Sequence, residues 1–184
     1  SATENGRRST FSGAEAGEPR IYAVAQEIIH LTAATLTFDQ INSFVVGYQE
    51  VAELTIGEIW ALPAMLRAGV IHILAHTVGR IANLELPADE PALEFKRTSD
   101  EDVVANAIIS LRYLATQDWN VFFRQVSKVE HILSQDPAGY YQAMDIQTKD
   151  RYRKIVEELA SGCTYTESEV AGNAVNLARQ GDGL

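Results

Sequence analysis

Between Glu58 and Arg80 the chain carries a single permanently charged side chain, Arg67. The segment that holds it, IWALPAMLRAGVIHILAHTVGRIA, is apolar on nearly every side when wound as an α-helix. Such a helix must be covered, either by lipid or by other helices. The stretch from Ile59 to Gly79 has the length of a membrane span, about 20 residues. Pro63 and Arg67 lie inside it, however, and a central arginine costs about 2.5 to 3.5 kcal/mol on insertion. The segment therefore reads as the buried central helix of a bundle, with no membrane span in this chain. Arg67 and Glu58 are its expected buried structural polar residues. The Arg67 guanidinium should be held by a carboxylate or by helix-end carbonyls from another helix.

The rest of the chain reads as punctuated helices. Pro19 opens a segment with Ile21, Ala25, Ile28 and Ile29 at helical spacing. Thr37 with Gln40, Thr55 with Glu58, and Thr166 with Glu169 have the spacing of capping boxes. Ser99 with Asp102 starts another helix. Asp118 caps the next, which places Trp119, Phe122, Val126, Val129 and Leu133 along one face. Asp136-Pro137 predicts a cap followed by proline at the first helical position, then a short turn through Tyr140 and Tyr141. Asp145 leads into a helix with Tyr152, Ile155, Val156 and Leu159 inward. No sustained period-two run occurs, so the expected fold is all-α, a single-domain bundle of about seven to eight helices. Residues 1–18 read as a disordered leader, 19–180 as the module and 181–184 as a disordered tail. The module has halves 19–85 and 98–180, packed together and parted by the loop around Leu86-Pro87 to Pro91.

With a formal net charge of -10, the chain repels phosphate backbones and anionic surfaces, which argues against nucleic acid as a partner. Its one cysteine, Cys163, excludes an intrachain disulfide and suits a reducing compartment.

Chemistry-bearing clusters each have a structural explanation. His72 and His76 stand at i and i+4, as metal ligands do, but no cysteine or carboxylate cluster completes a set. Asp100-Glu101-Asp102 contains an Asp-x-Asp, yet it opens a helix, where acids meet the positive end of the dipole. Glu50 with Glu53, and Glu157 with Glu158, come closest to a glycosidase pair. The second pair diverges on its helix and suits bridges to Arg153 and Lys154. Of the aromatic residues, Trp60, Trp119 and Tyr152 could stack on sugars, but Trp119 and Tyr152 fall on inward faces. Tyr140 and Tyr141 are the candidate carbohydrate or partner contacts. No catalytic residue, metal or cofactor is expected.

Two segments carry a resemblance. FVVGYQEVAEL followed by TIGEIWALPAMLR, residues 44–67, resembles part of the cyclic β-1,2-glucan synthases. Residues 106–160 look like the same family, through Asp118-Trp119, Asp136-Pro137-Ala138-Gly139, Met144-Asp145 and Asp150-Arg151-Tyr152-Arg153. These synthases are large bacterial inner-membrane proteins. The resemblance implies a soluble region on the cytoplasmic side, ahead of a membrane glucosyltransferase that uses UDP-glucose. None of the family's catalytic motifs has a match here, including the Gln-x-x-Arg-Trp of processive transferases. Family members carry a long extra segment between the counterparts of Ile81 and Ser99, a stretch that is short here. The expectation is a non-catalytic accessory or interaction module whose partners are other domains of the same polypeptide. The alternatives are a module that binds carbohydrate or sugar nucleotide, with glucan as partner, and a stand-alone helical adaptor.

Overall fold

Thr55 accepts a hydrogen bond from the Glu58 N–H at 3.2 Å, and the Glu58 carboxylate accepts one from the Thr55 N–H at 2.9 Å. This reciprocal cap launches the longest helix of the molecule. The structure, a computed structural model, describes residues 19–84, 95 and 98–181. The expected leader, the loop around Leu86 to Pro91, and residues 182–184 lie outside the described residues. Among the described residues there are nine helices and no strand. They are α1 (Arg20–Leu31), α2 (Phe38–Tyr48), α3 (Ile56–Ile81), α4 (Asp100–Thr116) and α5 (Trp119–Val126). The chain continues with α6 (Lys128–Leu133), α7 (Tyr140–Ala143), α8 (Ile146–Ser161) and α9 (Glu167–Gly181). Gly181, assigned to the tail by its sequence context, belongs to the last helix.

The central position of α3 follows from its composition. Leu62, Leu66 and Val70 are fully buried, and each such side chain contributes about 1.5 to 3 kcal/mol. Antiparallel to α3, α4 contributes Val103, Ala107 and Leu114 to the same core. On the other flank α1 approaches closely at Gly69, where a Cβ would lie 2.6 Å from the Ile29 Cδ1. Pro63 is buried within the second turn of α3 and leaves it continuous. Among the described residues, α3 is the one helix long and apolar enough to cross a membrane, by length and composition only.

The turn between α1 and α2 has no sequence signal. Ala33 and Ala34 adopt φ of 48° and 59°, a region costly for residues with a Cβ. A polar row on α4 holds it. The Ser110 hydroxyl donates to the Ala34 carbonyl at 2.6 Å and accepts from the Leu36 N–H at 2.9 Å. Asn106 donates to the Ala33 carbonyl at 3.2 Å, and the Tyr113 hydroxyl accepts from the Phe38 N–H at 2.8 Å.

Three expectations for the second half are corrected. The helix expected from Asp118 to Leu133 breaks at Ser127, which is extended and accepts a hydrogen bond from the Glu130 N–H. A Ser-x-x-Glu sits there, so a cap interrupts a stretch whose apolar spacing runs straight through it. Pro137 occupies a turn, not the first position of a helix. Asp136 accepts from the Ala138 and Tyr141 N–H groups, and Gly139 at φ 69° precedes α7. Finally, α8 turns inward Arg153 and Val156 and leaves Tyr152, Ile155 and Leu159 exposed. The reason is a buried ion network that needs Arg153 inside.

Candidate functional site

That network is built by three helices on one carboxylate. Glu130 of α6 and Arg153 of α8 are 4% and 5% exposed. Glu130 Oε2 accepts from the Tyr141 hydroxyl at 2.6 Å and from Arg153 Nε and Nη2 at 3.1 and 2.7 Å. Lys149 Nζ stands 3.9 Å from Glu130 Oε1 and 5.2 Å from the centre of the Tyr141 ring. Arg153 Nη1 also donates to Asp150 at 2.6 Å, and its guanidinium lies 4.5 Å over the Phe123 ring. Phe123 in turn stacks on Trp60 of α3, with centroids 4.8 Å apart. Burial, then the bond to Glu130, pushes the Tyr141 hydroxyl well above the usual phenol range. For Arg153 burial is the largest influence and works against the charge, but the Glu130 bonds together with the fields of Tyr141 and Glu130 outweigh it and keep the guanidinium protonated. Each bonded partner here is positioned by another, which is the chemistry of a fastening and not of a proton shuttle.

At the start of α3 lies a cleft of about 440 Å³ lined by Glu53, Thr55, Glu157, Ser161, Tyr165 and Glu167, among others. Glu167, in the first turn of α9, accepts the Ile56 N–H at 2.7 Å and so caps α3 from 111 residues away. Burial raises the Glu167 carboxyl above its usual range. The Ile56 N–H opposes the shift, and Glu157, Glu53 and Glu58 add to it. Two adjacent cations pair with acids at this end of α3. Arg20 grips Glu58 through two bonds of 2.8 and 2.5 Å, while Lys128 Nζ is 3.8 Å from Glu53. Ser168 donates its hydroxyl to Glu53.

The residues singled out in the sequence fall in different places. Tyr140 is 72% exposed on α7, whereas Tyr141 is 4% exposed and tied to Glu130, so the two do not form one contact surface. Arg67 is exposed, contrary to the expectation of burial, because α3 leaves one flank uncovered. Its partner is a helix-end carbonyl, Leu114 in the last turn of α4, at 3.0 Å. Glu58 is half-buried, not buried, and serves the Thr55 cap and Arg20. His72 and His76 meet edge to face with ring centres 4.3 Å apart. Among the described residues no three His, Cys, Asp or Glu groups converge as a metal site would require. Asp100 pairs with Arg80 at 2.6 Å, and Asp102 is the cap partner of Ser99. Lys154 meets Glu158 at 3.9 Å as the spacing suggests, but Arg153 turns inward and leaves Glu157 to face Gly57. Reasoning from the sequence missed the Glu130 centre and the Glu167 cap. The Ser127-x-x-Glu130 spacing could have flagged the first, while the second is a contact between distant segments with no local signal.

No family model matches the sequence. The chain is 25% identical over 232 residues to the cyclic beta-(1,2)-glucan synthase NdvB of Rhizobium meliloti (strain 1021), an alignment covering 88% of this chain and 8% of that protein. The likeness is distant. It supports the resemblance drawn from residues 44–67 and 106–160 without by itself establishing membership of the family. The chain thus spans less than a tenth of its relative's length. Because the alignment is longer than the 184 residues of the chain, the relative holds residues with no counterpart here.

Proposed function

We propose that this chain is a non-catalytic helical module of a cyclic β-1,2-glucan synthase-type polypeptide, acting by contact with other parts of that polypeptide on its cytoplasmic side. The observation that carries this reading is the extent of the likeness, which takes in 88% of the chain within a small slice of a glucan synthase. In this reading residues 19–180 act as one unit. The structure lends support because its conspicuous carboxylates serve the fold. Glu130 anchors α7 and α8, Glu167 caps α3, and Asp100 holds Arg80. The test is to incubate the isolated chain with UDP-glucose and measure UDP release. None above a denatured control is expected. Release that disappears on changing Asp100 and Asp102 would overturn the non-catalytic reading.

A second reading, a module that holds a saccharide, is favoured by the cleft at the start of α3. Tyr165 is an exposed ring there, and hydroxyls and carboxylates line the walls, the two kinds of group that sugar rings and sugar hydroxyls engage. Titration with short β-1,2-linked glucose oligomers, followed through the Tyr165 ring resonances, decides it. Saturable shifts support the saccharide reading, and unchanged resonances at millimolar oligomer remove it.

A further inference from the structure

No Asp or Glu occurs from residue 59 to 81 in α3, nor from 103 to 117 in α4, although the chain holds 25 acidic residues. The two helices lie side by side, Arg80 meeting Asp100 at one end and Arg67 meeting the Leu114 carbonyl at the other. Along α3 the exposed positions Ala64, Ala68, Ile71, Ala75 and Val78 recur three and four residues apart, one continuous apolar flank. Ile71 is 55% exposed and, on α4, Ile109 is 63% exposed beside Ile108. Arg112 follows one turn after Ile108, exposed and without an ion pair among the described residues. Scattered apolar side chains on a surface need no explanation, but an uncovered flank of four turns marks a contact surface.

We propose that this α3–α4 face seats an apolar helix bearing at least one carboxylate, supplied by polypeptide outside residues 1–184 of the same protein. The inference deepens the proposed function and rests on it. Three observations select this occupant over others. The chain corresponds to 8% of its glucan-synthase relative, so most of such a polypeptide lies elsewhere. Between its two ends the face offers Arg67 and Arg112 and no carboxylate, so it complements acidic groups and disfavours basic ones. A second copy docked about a two-fold axis would set one arginine-bearing face against another with no carboxylate between them, and the net charge of -10 disfavours an anionic lipid surface. The alanines also leave room for a helix axis at about 8 to 10 Å, the ordinary packing distance.

The test is site-specific thiol labelling of the native full-length protein in a Cys163→Ser background, read by peptide mass. The variants are Ala68→Cys, Ala75→Cys and, on the exposed side of α2, Ser43→Cys as control. In the full-length protein the first two should label roughly tenfold or more slowly than the control, whereas in residues 1–184 alone all three should label alike. Adding Arg112→Glu to the full-length protein should speed labelling at Ala75→Cys. Equal labelling in the full-length protein overturns the proposal. So does protection in the 184-residue chain that grows with its concentration, which indicates a second copy. Protection of that chain by phosphatidylcholine vesicles overturns it in favour of lipid. An unchanged rate with Arg112→Glu removes the carboxylate from the proposal. The proposed function fails separately, on sequence alone, if the native gene product contains no glucosyltransferase region.

Discussion

Arg153→Met removes the cation at the centre of the buried network while keeping most of the side chain's volume. The structure sets the size of the effect. Two hydrogen bonds to Glu130 are lost, at 3.1 and 2.7 Å, and a carboxylate that is 4% exposed keeps only the Tyr141 hydroxyl and a lysine at 3.9 Å. Breaking a buried pair by deleting one partner costs about 3 to 5 kcal/mol. The remaining partners place this case near the lower end, about 3 kcal/mol. The Asp150 contact is half in solvent and contributes under about 1 kcal/mol. Urea unfolding followed by circular dichroism reads the loss as a midpoint lowered by roughly 1.5 M for a slope near 2 kcal/mol/M. Adding Glu130→Gln removes the stranded charge and still offers Tyr141 an acceptor, so the double variant should recover about 1 to 2 kcal/mol relative to Arg153→Met. A loss below about 1 kcal/mol for Arg153→Met, or a double variant as unstable as the two single losses summed, refutes the account of Glu130 as a charge held by Arg153.

Glu167 has a folded pKa raised above its ordinary value of 4.5, so the stability tied to its proton is present in acid and lost as pH rises through the folded pKa. Glu167→Gln keeps an acceptor for the Ile56 N–H and should flatten this part of the stability–pH profile, with no loss at neutral pH in thermal melts. Gly69→Ala should destabilise by about 1 to 3 kcal/mol through the clash with Ile29 Cδ1, and Ile29→Val, which lacks that carbon, should relieve part of it in a double-variant unfolding cycle. Arg67→Ala should cost no more than about 1 kcal/mol in urea unfolding, since it removes one bond from an exposed side chain.

Helix starts were legible because a cap is a local device. Thr37, Thr55, Ser99, Asp118 and Asp145 each satisfy an N–H within three residues, so spacing alone reveals them. The all-α character and the central place of α3 followed from apolar periodicity. What failed was the assignment of faces. Apolarity pointed Tyr152, Ile155 and Leu159 inward, but Glu130 and Tyr141 require Arg153, and a helix that turns Arg153 in must turn the others out. Arg67 was misjudged for the converse reason. Its neighbours are apolar in sequence, yet Ala64, Ala68 and Ile71 beside it are exposed on the same flank of α3. The acidic cleft joins the stretch 53–55 to the stretches 157–161 and 165–167, so no window of sequence contains it.

The turn at Ala33 and Ala34 has a kinetic consequence. Locally the Ala34 N–H reaches the Ile29 carbonyl at 3.0 Å and the Ala33 N–H the His30 carbonyl at 3.2 Å, but the Ala33 and Ala34 carbonyls are bonded from Asn106 and Ser110, 73 and 76 residues further along. Until α4 has docked, only the local bonds at the end of α1 shape the corner between α1 and α2. The α1–α2 corner is therefore among the last pieces to set and the first to open. A chain shortened before Asn106 would lose the acceptors that α4 supplies, and its Leu36 and Phe38 amide protons would exchange at nearly unfolded rates.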